Sequence, residues 1–309
     1  MLNVHEDEKY SALSGFSHMI GGLSVNVANR LDPVLQGEGC AEYMRFVQPA
    51  NHKPDVQVQM RSTPERYKPE DGEVVFSSQY FKMQSVLDGF QLYRYPSEQQ
   101  QVPSVTVQID PEFSRFTYFF CSRSVESDKI QIVDPYRSAA DALLLQHTFI
   151  NHQGLIVHSG GGSILGKGMV FAGLSGAGKS TLSELLSFSS GNRLFSDERL
   201  VVRFAENRWN VWGTPWMGTG SIARNETAPL SALVFLRQAE KTKITTLTPV
   251  QGLHRLLQVV SIPWYSEEWT NKGLAVCEPL VQEVPMFELA FRADETAVLA
   301  VEELASGLP

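Results

Sequence analysis

Gly173, Gly178, Lys179 and Ser180 stand at G-x-x-x-x-G-K-S spacing inside "GLSGAGKSTLSELL". Glycines there let backbone N–H groups turn inward around an anion without Cβ clashes. The lysine reaches phosphate oxygens and the serine hydroxyl ligates Mg2+. The expected nucleotide-binding set is therefore Gly173, Ser175, Gly176, Ala177, Gly178, Lys179, Ser180 and Thr181, with ATP or GTP and Mg2+ as cofactors. A helix starting at Ser180 would aim its positive end at the same anion.

Such a loop needs an acidic residue at a nearby strand end, to hold Mg2+ or take a proton. "NRLFSDERLVVR" offers Asp197 and Glu198, one helix and a turn beyond the loop, where the chain returns to the sheet. Ser180, Asp197 and Glu198 form the expected metal set; the plain alternative is a solvated pair beside Arg199. His158, in "LIVHSGG", lies on the strand before the loop's own strand. An imidazole there would tune the base or contact a phosphate, although a core histidine is the simpler reading. Asp197, His158 and Glu198 are the expected catalytic residues.

The elements around these residues follow from periodicity. "GLIVHSGG" and "GKGMVFAGLSG" are short apolar runs ending in glycine, expected as buried strands feeding the loop. The expected order continues with a helix over 180–187, a strand over 194–204, a strand over 232–236, a helix over 249–260, a strand over 286–291 and a helix over 294–305. Strands alternating with helices indicate an α/β domain over 131–309. Before it, "DVQVQMR", "SVTVQID" and "RFTYFF" alternate with period two, which predicts half-buried antiparallel strands. Residues 1–130 are expected to form a β-rich accessory or oligomerisation region. A helix capped by Asp134, with Pro135 at its first position and a stop at Gly154, should connect the two.

The 309 residues are 43% hydrophobic and 19% charged, enough for two globular domains. The formal net charge of −8 argues against a general nucleic-acid binder, which needs clustered positive charge. Three scattered cysteines fit a reducing compartment without disulfides or zinc. No apolar run is long enough to span a membrane. The opening "MLNVHEDEKY" is too acidic for a signal peptide. A cytoplasmic protein is the expectation.

The stretch from His158 to Arg203 resembles the catalytic core of the HPr serine kinase/phosphorylase family. That family has a histidine strand, a G-x-S-G-x-G-K-S loop about fifteen residues later and an Asp-Asp pair on the next strand. The same stretch is similar to ATP-dependent phosphoenolpyruvate carboxykinase, although this chain is too short for a full carboxykinase. The resemblance implies an α/β P-loop kinase core of the HPr-kinase/carboxykinase type. Lys179 and Ser180 would hold ATP and Mg2+, and Asp197, helped by His158, would take the acceptor's proton. It also implies a homo-oligomer. Three features depart from the family: Glu198 replaces the second Asp, Thr181 replaces the usual Glu, and the family's downstream glycine-rich signature is missing. The expected reaction is transfer of the γ-phosphoryl group to a Ser/Thr-type hydroxyl of a protein, peptide or small molecule. A non-catalytic ATP-gated binding module is the alternative. A transporter-type ATPase would need an LSGGQ-like signature, and an adenylylsulfate kinase a D-G-D-N-type segment; neither is present.

"NVWGTPWMGTGSIARNE", with Arg224, reads equally as a mobile covering loop or as a turn with buried tryptophans. "SIPWYSEEWTNKG" clusters Trp264, Tyr265 and Trp269, which are expected to pack into the core, with a partner surface as the alternative.

Overall fold

The computed structural model describes residues 15–30, 45–49, 53–63, 71–95, 103–121 and 140–309. They divide into two compact units between Thr148 and Phe149, with Ile20–Gly22 grouped in the second.

The first unit carries β1 (Gly15–Ile20), β2 (Leu23–Arg30), β3 (Val47–Gln48), β4 (Val56–Thr63), β5 (Glu73–Ser77), β6 (Phe81–Val86), β7 (Gly89–Arg94), β8 (Val105–Ile109) and β9 (Arg115–Cys121). They form one nine-stranded sheet in the order β3-β1-β2-β4-β9-β8-β7-β6-β5. The alternation buries Val56, Val58 and Met60 on β4, and Val105, Val107 and Ile109 on β8. Burying each such side chain contributes roughly 1.5–3 kcal/mol. One expectation changes here: β4 runs parallel to both β2 and β9. Alternation reports which face a residue occupies, not the direction of the neighbouring strand.

Helix α1 (Ala140–Asn151) is buried from Leu144 to Ile150. The expected start at Asp134 and Pro135 lies outside the described residues. The helix is followed by a reversal at Gln153, with φ of 55°, and Gly154 opens the next strand.

The second unit contains β10 (Gly154–Ile164), β11 (Lys167–Ala172), α2 (Lys179–Ser187), β12 (Asn192–Ser196), β13 (Arg199–Ala205), β14 (Arg208–Trp212), β15 (Thr227–Gln238), β16 (Lys243–Thr246), α3 (Pro249–Leu256), β17 (Val260–Ser261), α4 (Glu267–Glu283), β18 (Met286–Phe291) and α5 (Glu295–Gly307). This is a mixed α/β architecture. β10 pairs with β11, β12, β13 and β17. β15 serves two partners in succession: Thr227–Pro229 run antiparallel to β14, and from Leu230 onward the strand runs parallel to β11. The pairings therefore close a ring, β11-β10-β13-β14-β15-β11, with β18 parallel to β15 on its other edge.

Period two sends Ala232, Val234 and Leu236 of β15 to one face, where Leu182 and Leu186 of α2 and Ala297 and Val301 of α5 cover them. Phe235 and Arg237 fall on the opposite face, beside Arg255 in the last turn of α3.

The strand expected over 194–204 is two strands, broken at Asp197–Glu198. Ser196 Oγ accepts from the N–H groups of Glu198 and Arg199, both at 3.3 Å, and turns the chain. The helix expected to reach Val260 ends at Leu256, and Val260–Ser261 pairs with β10 instead. β14, β16 and α4 were not expected.

Candidate active site

The loop leaves β11 at Ala172 and enters α2 at Lys179. Gly176 and Gly178 have φ of 81° and 99°, conformations that side chains rarely adopt. Gly178 is also pressed against Phe291: a Cβ would lie 2.7 Å from the ring. Gly178 is the N-cap of α2 and brings no side-chain hydrogen bond to the first turn. The other helices with described caps are closed by side chains: Thr248 for α3, Ser266 for α4 and Asp294 for α5. The first N–H groups of α2 thus lack a side-chain acceptor, which leaves them suited to an external anion.

Lys179 is buried, and its Nζ donates to Gly173 O at 2.7 Å and Leu174 O at 3.3 Å. Burial lowers the lysine's pKa, and the charge of Glu198 opposes that shift. Gln238 Nε2 donates to Gly176 O at 2.7 Å, tying the end of β15 to the loop. Ser175, Ser180 and Thr181 are exposed. The Thr219 hydroxyl lies 3.4 Å from Ser180 Oγ.

His158 and Glu198 come together, with imidazole Nδ1 3.6 Å from Glu198 Oε1 and both side chains about one-third exposed. The His158 pKa falls below the ordinary value, first through burial and then through the positive charges of Lys179 and Arg199; Glu198 pulls it back. Arg199 stands directly across from His158 in the β10–β13 pairing, so the two share a face.

Asp197 is placed differently. Only 2% of it is exposed. Its Oδ1 accepts from Gly218 N at 3.0 Å and Ile222 N at 3.2 Å, and its Oδ2 from Gly220 N at 2.5 Å. A Cβ on Gly218 would meet Oδ2 at 2.9 Å, and one on Gly220 at 2.7 Å. The two glycines let the backbone wrap the carboxylate. Sequence reasoning expected Asp197 to be the base, but both of its oxygens are engaged by a loop, and Glu198 is the carboxylate beside the imidazole. The missed partner is the 218–222 segment. Its signal was available in "GTGSI", a glycine-rich run after an acidic strand end.

In the segment around "NVWGTPWMG" Trp216 is buried, and the Thr219 hydroxyl lies 3.4 Å from the loop's serine. Of the second aromatic cluster, Trp269 is buried and Trp264 half-exposed. Among the described residues, no group of three or more His, Cys, Asp and Glu could hold a metal by itself. No helix among them is long and apolar enough to cross a membrane.

No protein-family model and no curated protein matches the chain. Among solved structures, the Hpr(Ser) kinase/phosphatase from Coxiella burnetii is similar to it. The TM-score is 0.31 and the identity 16%, over 49% of this chain and 88% of that one. At that level it is a distant structural likeness, which carries none of the argument below.

Proposed function

We propose that the protein is an ATP-dependent phosphotransferase that moves the γ-phosphoryl group to a hydroxyl of a protein, peptide or small molecule. The observation carrying this reading is the uncapped N-terminus of α2. It joins left-handed Gly176 and Gly178 to Lys179, with the His158–Glu198 pair alongside.

The residues suit Mg-ATP. Inward N–H groups and Lys179 complement phosphate oxygens, and Mg2+ commonly takes one or two protein oxygens and completes its shell with phosphate and water. Ser180 Oγ and Glu198 Oε2 would hold the ion, with Lys179 on the β/γ-phosphates. ATP supplies the phosphoryl group, and Mg2+ neutralises charge on its oxygens.

His158 is the proton acceptor in this reading. Its lowered pKa keeps the imidazole neutral at pH 7 and able to take the acceptor hydroxyl's proton at Nε2. Glu198 Oε1 faces the other ring nitrogen and stabilises the imidazolium, as the third member of a catalytic triad does. Asp197 holds the loop that lays Thr219 against Ser180. It is a positioning residue, which revises the role expected from sequence.

Incubation with γ-labelled ATP, Mg2+ and a lysate depleted of the protein should label one acceptor. Lys179→Ala should lose tight ATP binding and His158→Ala should lose labelling. ATP affinity unchanged in Lys179→Ala would refute the loop assignment. Tight ATP binding without labelling, in a lysate from the source organism, would favour the nucleotide-gated module.

A further inference from the structure

We propose that a cavity beside the loop is an anion subsite for the phosphoacceptor, in which Arg237 and Arg255 hold a carboxylate or phosphate group of a small hydroxyl-bearing molecule. The cavity measures about 420 Å³, within the range of small-molecule sites. One wall is the loop from Gly173 to Ala177. The other is the end of β15 with Arg255, Gln258 and Val259. No acidic residue lines it.

The charge balance favours an anion. Arg237 Nε lies 3.3 Å from Glu288 Oε1, and Arg255 Nη2 contacts Glu288 Oε2. Two cations share one carboxylate, so the trio carries a net +1. A guanidinium has five N–H donors, and neither arginine makes another hydrogen bond among the described residues. Glu288 is 17% exposed while the arginine side chains are 56% and 41% exposed. The carboxylate thus sits behind two forks that face the opening. Glu288 pre-organises them, which lowers the ordering cost of binding. Planar forks of this kind match carboxylate and phosphate geometry.

The subsite adjoins the phosphate cradle and shares its Gly173–Ala177 wall, but Lys179 and Ser180 do not line it. Gln238 nevertheless couples the two through its bond to Gly176 O. An acceptor anchored by its anion would thereby lie beside the loop. That the anchored molecule is the acceptor rests on the kinase reading; the anion site does not.

The test is binding of inorganic phosphate, followed by 31P line broadening, with and without a saturating non-hydrolysable ATP analogue and Mg2+. Wild type should still bind phosphate when the analogue fills the loop, and Lys179→Ala should bind it equally. With the analogue in the loop, Arg237→Gln/Arg255→Gln should bind it about tenfold or more weakly while keeping ATP affinity within about twofold. Arg255→Lys, which leaves Glu288 paired, should weaken it severalfold and guards against misfolding of the double variant. Phosphate binding that survives in the arginine variants while the analogue fills the loop would overturn the proposal. Phosphate displaced by the analogue in wild type would overturn it too, since the anion would then be the nucleotide's own phosphates. Failure of Lys179→Ala to affect ATP would remove the kinase reading and leave the anion site standing.

Discussion

Asp197→Asn keeps the shape of the side chain and removes the charge that gathers the 218–222 loop. The best fit for asparagine keeps its one oxygen on Gly218 N and Ile222 N, the two bonds at Oδ1. Its amide then faces the Gly220 N–H, donor to donor. A buried donor left unsatisfied costs about 1–3 kcal/mol, and each bond changed from charged to neutral loses about 1 kcal/mol more. The loop should therefore be destabilised by about 3–5 kcal/mol, with no comparable loss in β11 or α2. Amide hydrogen exchange reads this directly. The amides of Gly218, Gly220 and Ile222 should exchange at least about 100-fold faster, while those of Leu182 and Leu186 stay protected. Phosphoryl transfer should fall because Thr219 no longer meets Ser180, yet the acid limb of the pH–rate profile should persist, since it belongs to His158. Unchanged exchange combined with loss of the acid limb would refute this reasoning and make Asp197 the base.

Glu198→Gln removes the interaction that raises the His158 pKa, so the acid limb of any remaining activity should move to lower pH; movement to higher pH would contradict the pairing. Gly176→Ala meets open space and only a strained φ, whereas Gly178→Ala also meets the Phe291 ring; thermal melts should show a loss of about 1 kcal/mol for the first and clearly more for the second. His18 is buried, which lowers its pKa to about 4. Between pH 6.5 and 4 the unfolded chain binds a proton that the native chain refuses, so stability should fall with pH across that window by about 3 kcal/mol. His18→Phe should flatten that slope in denaturant titrations.

Much of the second unit was legible because its residues carry local physical signals. The loop was readable from glycine spacing, and the strand before it from "MVFA". Asp294 was readable as the boundary of α5, and its side chain accepts from Thr296 N at 3.0 Å. What escaped was set by tertiary context. α4 holds Gly273 and Pro279 in its interior, against their low helix propensity, and Gly273 meets Ile262 so closely that a Cβ would come within 3.0 Å. β14 was hidden beside a region read as loop. Its signal was the Glu206–Asn207 pair, both at positive φ, which makes the two-residue hairpin turn joining Ala205 to Arg208. The parallel direction of β4 has no local signature. At the site, the adjacent acids Asp197 and Glu198 are legible as a pair, but their different surroundings depend on a loop some twenty residues further on.

The double pairing of β15 bears on how this chain can change over generations. Substitutions along the strand alter one contact at a time. A single-residue insertion just after Ala232, beyond the bulge opposite Gly168–Met169, would instead invert every residue that follows. Arg237 and Phe235 would be driven among the side chains of α2 and α5, and Leu236 would take over the mouth of the cavity. The strand also spans from β14 to the bond that Gln238 makes with the loop, so such an insertion could not be absorbed at either end. Lineages descended from this sequence should vary freely in the length of the turn before Lys243 and hold the Thr227–Gln238 interval fixed.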